Sequence, residues 1–268
     1  MTSLAIQRLE SLLQTRQLDN TLTTRRLSLD VRQLPTGITA IDGPLGGGWP
    51  HGEVSELVGG RSSGRGAVLL ATLAAATRMG GIAGLVDAFD RFDPVTAARA
   101  GVDLDRVLWV RGPALTLEGL GSQASGLRKT ADHGSFPGAR GPRPEACLDR
   151  AILNGIRALD LILRAGGFSV AALDLADAPA RALAALPFTT WLRLAHANEG
   201  RDTVCVIAAD RPLARSAHGV SMRLEGRRSW TGTHARSRRF AGFDLQVRVV
   251  SAQAAGVEPG PARGFGTR

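Results

Sequence analysis

A chain of 268 residues with 44% apolar and 21% charged side chains is long enough to bury one large core without disulfide or metal staples. Its two cysteines, Cys147 and Cys205, are too few and too far apart for a disulfide framework or a zinc cluster, and 4% aromatics with no tyrosine argue against a base-stacking platform. The net charge of +9 is nearly all arginine, since Lys129 is the only lysine; it suits an anionic partner such as DNA, and an arginine-favouring codon bias produces the same excess.

In chain order, residues 4–18 place Ile6, Leu9, Leu12 and Leu13 at helical spacing between Arg8, Glu10 and Arg16, which predicts an amphipathic helix. This beginning has no basic region followed by a long apolar stretch. The longest apolar-rich run, residues 67–76, is shorter than the roughly 18 residues a membrane span needs, so the expectation is a soluble, cytoplasmic protein without membrane contact. Asn20, a run of threonines, Arg25 and Arg26 read as a linker, making residues 1–33 a helix with its tether.

From residue 34 to residue 250, short apolar runs alternate with helical patterns, the signature of βαβ units and a mainly parallel sheet flanked by helices. Strands are expected over residues 53–58, 82–87, 107–110, 170–175 and 203–209, and helices over 65–79, 94–100, 148–165 and 181–197. Residues 221–225 and 243–250, separated by an arginine-rich stretch with Trp230, read as antiparallel strands closing the sheet. Residues 118–146 are rich in Gly, Pro, Ser and Arg and read as a mobile surface loop. Residues 251–268 read as a disordered tail.

The most informative stretch joins the strand at residues 53–58 to the following helix through Gly59, Gly60, Arg61, Ser62, Ser63, Gly64, Arg65 and Gly66. A working phosphate-binding loop runs glycine, four residues, glycine, lysine, then serine or threonine: amides cradle phosphate, lysine reaches the terminal phosphates and the hydroxyl holds magnesium. The spacing from Gly59 to Gly64 is intact. Arg65 stands where lysine is required, and its planar fork does not replace a compact ammonium. Gly66 has no oxygen for magnesium, so phosphoryl transfer is not expected and the site reads as vestigial, with no cofactor. A glycine turn kept only for packing accounts for the same residues.

The five histidines, His51, His133, His196, His218 and His234, show no metal-ligand spacing, and no metal site is expected. Ser62-Ser63-Gly64 is not a nucleophile elbow, since no glycine lies two before the serine in the right context and no His–Asp pair is evident to activate it.

Thr36-Gly37, Ile41-Asp42, the glycine-rich turn before residue 50, the loop, the strand ending at Asp87, Asp93-Pro94 and Gly101-Val102-Asp103 together resemble the RecA family across roughly residues 34–111. The likeness continues more thinly to residue 250. The resemblance implies a RecA-like P-loop core. It also aligns Phe89 with the family's general-base glutamate, two positions after the aspartate matched by Asp87. Asp174 matches the aspartate that helps hold magnesium, and Asp210 replaces the phosphate-sensing glutamine. Ser251 and Gln253 fall near the lysines that reach a neighbour's nucleotide. The DNA-gripping loop is reduced to the short stretch after Asp210, leaving Arg211, Arg215, Arg227 and Arg228 as candidates for phosphate contact, with a solvated basic face as the plainer account.

A RecA-like core without its chemistry, with an amphipathic leading helix, resembles the ImuA group and, beyond it, SulA. The ImuA likeness implies a non-catalytic accessory of the SOS response to DNA damage. Such proteins support translesion synthesis with a Y-family-like, ImuB-type partner, with RecA, DNA and self-association as further candidate contacts. Two other readings follow from the same residues: an ATP-binding recombination protein or RecA regulator, and a SulA-like division inhibitor.

Overall fold

The computed structural model describes residues 32–113, 144–213, 219–232, 237–252 and 261–262. The helix expected over residues 4–18 lies outside these, as do most of 118–146 and most of the tail. Arg32–Arg268 form one compact unit.

β1 (Gln33–Leu34) pairs antiparallel with β2 (Trp49–Pro50) around the short helix α1 (Thr39–Asp42). The Asp42 carboxylate accepts from the Thr36 amide at 2.8 Å, the Thr36 hydroxyl at 2.7 Å and the Gly37 amide at 2.9 Å, so the Thr-Gly and Ile-Asp pairs form one turn. β3 (Val54–Val58) then runs into α2 (Arg65–Arg78), and β4 (Ala83–Asp87) into α3 (Pro94–Arg99). Asp93 caps α3 by accepting from the amides of Val95 and Thr96, with Pro94 in the first turn where no amide partner is needed. β5 (Val107–Arg111), α4 (Pro144–Ala165), β6 (Val170–Asp174), α5 (Ala180–Ala184), α6 (Phe188–Asn198) and β7 (Val204–Ala209) follow, and then β8 (Val220–Thr231), β9 (Arg239–Ala252) and β10 (Pro261–Ala262).

Among the described residues, eight strands form one sheet in the order β10-β9-β8-β3-β7-β6-β4-β5. Pairing is parallel from β8 through to β5 and antiparallel among β8, β9 and β10. Side chains alternate across the sheet, and both faces are apolar. Leu57, Leu85, Ala172 and Val206 face a cluster with Val68 and Leu73 of α2 and with Trp49. Val86, Leu173, Cys205 and Ile207 face a second cluster with Ile152, Ile156, Leu159 and Leu163 of α4 and with Trp191 and Leu194 of α6. Two buried side chains tie elements together: Trp49 Nε1 donates to Thr72 Oγ1 at 3.0 Å, and Asn198 Nδ2 donates to the carbonyls of Glu53 and Thr203 at 2.9 and 3.1 Å.

The sheet differs from the sequence expectations in four places. The helix expected over 181–197 is two helices, because Pro187 has no amide to continue the first and instead precedes α6. α4 begins at Pro144, inside the segment read as loop. The closing strands run through the arginine-rich stretch expected to separate them, and β8 lies parallel to β3 while pairing antiparallel with β9. β10, two residues within the expected tail, adds to β9. Among the described residues, no helix is long and apolar enough to cross a membrane.

Candidate functional site: a glycine-rich loop closed by its own arginine

Parallel strands bring their carboxyl ends to one edge, and there the loop after β3 meets the ends of β7, β6 and β4. The register sets Val58 beside Ala209, Ala208 beside Asp174, and Asp174 beside Asp87. The loop is anchored to this edge by the Gly59 amide, which donates to the Ala209 carbonyl at 3.0 Å. The Ser63 amide donates to the Gly60 carbonyl at 3.2 Å, and the Val68 amide to the Gly64 carbonyl at 3.1 Å as α2 begins. Ser62 (φ 61°) and Gly64 (φ 88°) both take left-handed backbone, a conformation that costs a serine about 1 kcal/mol or more.

Small residues make room for close packing. A Cβ on Gly59 would collide with the Ser63 side chain and stand 3.1 Å from the Leu224 carbonyl of β8. One on Gly64 would stand 3.0 Å from Leu245 Cδ1 of β9. The β8–β9 hairpin therefore lies directly against the loop. Gly66 differs, because nothing lies within 4 Å of where its Cβ would be.

Arg65 does not project into solvent. Its side chain is 9% exposed, and Nη1 donates to the carbonyl of Gly59, the first residue of the loop. Asp174, at the end of β6, accepts from the Ala176 amide at 2.8 Å. Burial pushes its carboxyl up to about 6, against the lowering effect of the Ala176 amide and of Arg65, while Asp87 and Asp177 add to the rise. Asp177 pairs with Arg91 at 3.0 Å and approaches Arg61 at 3.9 Å. Sequence reasoning singles out neither Asp177 nor Arg91. The signal available is a second acid three positions beyond the strand-end aspartate.

Asp87 has a scaffolding role. It is 1% exposed and accepts from the amides of Arg91 at 2.9 Å and Phe92 at 2.8 Å and from Trp109 Nε1 at 3.4 Å, which fixes the turn after β4. That turn carries Phe89 into the α4-side core, where it is 3% exposed. Asp90, in left-handed backbone at φ 58°, is held by Arg111 through two bonds of 2.9 and 2.8 Å, and Arg111 stacks over Trp109 at 4.5 Å. The Arg111 guanidinium keeps the Asp90 carboxyl below its usual range.

The remaining candidates scatter. Asp210 is exposed and pairs at 3.1 Å with its neighbour Arg211. Arg215 and Gln253 lie outside the described residues, and Arg227, Arg228 and Ser251 are placed by backbone alone, the first two on β8 and Ser251 on β9. Of the histidines, His51 sits 3.1 Å from Asp202 and His196 sits 3.3 Å from Glu199, each in a surface pair. Among the described residues, no three His, Cys, Asp or Glu side chains gather as metal ligands. Cys147 and Cys205 are free thiols.

The sequence profile of the RecA N-terminal domain matches residues 4–121. Similar proteins include Protein RecA of Symbiobacterium thermophilum, 47% identical over 81 residues, which are 30% of this chain and 23% of that protein. The core is RecA-like. Protein RecA of Roseiflexus sp. is 47% identical over 81 residues (30% of this chain, 23% of that protein), and that of Prochlorococcus marinus 45% over 78 residues (29% and 21%). The matched stretch thus spans less than a quarter of each relative's length.

Measured against what a RecA-like loop holds, a magnesium nucleotide, the residues present do not fit. The position after Arg65 has no side-chain oxygen, Arg65 is already bonded within the loop, and an apolar Leu245 lies beside Gly64. What the site offers chemically is a set of loop amides at the start of a helix, with a guanidinium committed to the same loop.

Proposed function

We propose that this protein is a non-catalytic RecA-like accessory of the DNA damage response, a scaffold supporting translesion synthesis and induced mutagenesis beside a Y-family-like, ImuB-type polymerase subunit. The observation that carries this reading is the state of the loop: its frame is kept, while Arg65 turns inward and Gly66 supplies no magnesium ligand. Phe89 in the core is consistent with it, because a general base there would be walled off from any nucleotide. A RecA-like sheet retained without phosphoryl-transfer chemistry has its surface left as the useful part, and surfaces bind partners.

The test is affinity capture of the tagged full-length protein from cells treated with a DNA-damaging agent. A lesion-bypass polymerase subunit is the expected prey, and recovery of no replication or repair protein would remove the proposal. A second reading, an ATP-binding RecA regulator, draws on the 47% identity to a RecA protein over 81 residues. Calorimetric titration with ATP separates the two, since a flat trace ends the second.

A further inference from the structure

The amino end of the 14-residue helix α2 is a poor place for a cation. Its unpaired amides and the positive end of the helix dipole repel a cation and attract an anion. Arg65, the first residue of that helix, is nonetheless nearly buried. A buried guanidinium needs a hydrogen-bond acceptor, and the loop itself supplies one. The Gly59 carbonyl accepts from Nη1. The bond from Arg65 back to Gly59 ties the last residue of the turn to its first, turning an open cradle into a closed ring. Leu245 at Gly64 and the Ser63 side chain at Gly59 pack its rim.

We propose that Arg65 is the built-in occupant of this loop, its guanidinium held by the Gly59 carbonyl so that a phosphate group enters only by displacing it. The inference rests on the non-catalytic reading and deepens it, because losing the groups that act on a nucleotide and barring the nucleotide are separate properties. If the bar is Arg65, removing its donors while keeping its stem opens the amide cradle even though no lysine or hydroxyl is restored. Binding in that case needs no magnesium, since position 66 cannot hold it.

The experiment compares full-length wild type, R65M and the double variant R65K/G66T by fluorescence anisotropy of a methylanthraniloyl-ADP probe, with and without magnesium. Inorganic pyrophosphate serves as competitor. Expected are no binding by wild type, binding by R65M at least roughly tenfold tighter than wild type and indifferent to magnesium, and tighter, magnesium-dependent binding by R65K/G66T. Thermal melts establish that each variant folds, and R65A takes the place of R65M if the methionine does not. If R65M binds no better than wild type while R65K/G66T binds, missing chemistry alone excludes nucleotide: the occupant idea is overturned and the non-catalytic reading stands. Failure of both variants to bind overturns it as well, and hydrolysis of ATP by wild type removes both readings.

Discussion

Replacing Asp174 by asparagine should stabilise the protein, by an amount that depends on pH in a defined direction. In the unfolded chain the carboxyl ionises at its ordinary value of 3.8, whereas in the folded protein burial raises it to about 6. The folded state therefore holds the proton more tightly. Below pH 3.8 both states are protonated and Asp174 carries no penalty. As pH rises from there through 6 the unfolded state ionises first, stability falls, and above 6 the loss is constant. The two values set an upper figure of about 3 kcal/mol at neutral pH, at about 1.36 kcal/mol per unit. The substituted asparagine never ionises, and its side-chain oxygen can still accept from Ala176, at the cost of the charge-assisted part of that bond. D174N should thus exceed wild type by about 1–3 kcal/mol at pH 8 and match it within about 0.5 kcal/mol at pH 3.5. Urea unfolding at pH 3.5, 5, 6 and 8, followed by tryptophan fluorescence, gives the comparison. A D174N protein less stable than wild type at pH 8, or a difference unchanged across the series, would refute the argument.

Phe89→Glu, which puts a carboxylate at the position of the family's general base, should cost about 3 kcal/mol or more in urea unfolding because the site is 3% exposed and apolar, and phosphate release from ATP should stay at background. Alanine at the two glycines that flank Arg65 should act oppositely. G66A, in open space within α2, should raise stability by about 0.5–1 kcal/mol, and G64A, at φ 88° and against Leu245, should lower it by about 1–2 kcal/mol, both read from thermal melts. Cys205 is fully enclosed and its thiol is pushed up to about 12 by burial, so in native protein at pH 8 only Cys147 should react promptly with Ellman's reagent; in urea both should react.

Much of the parallel core is legible in the sequence because its signals are local. Each buried strand is a short apolar run at the length of a strand, and the five parallel ones start and stop within a residue of where the pattern puts them. The loop's spacing is equally local, and so is the absence of an oxygen at Gly66 and of a lysine at position 65. Where a single residue overrides a period, as Pro187 does between α5 and α6, pattern alone runs past the break. The length of β8 and β9 was hidden for another reason. An arginine-rich antiparallel ribbon looks like a linker until the partner strand supplies the hydrogen bonds.

Periodicity and spacing determined an α/β core with a phosphate-loop frame whose lysine and hydroxyl positions hold other residues, since those properties are carried by residue types and intervals along the chain, and the resemblance of its motifs pointed to RecA. Only the tertiary structure decided what the altered residues do. An arginine at position 65 can reach out to an anion or fold back on its own loop, and here it folds back onto the Gly59 carbonyl in a loop that Leu245, from a strand far along the chain, packs against at Gly64. Phe89 likewise is one residue in a run until the turn pinned by Asp87 sends it into the core. Direction of a side chain is a property of its neighbours in space, and these are brought together by the sheet.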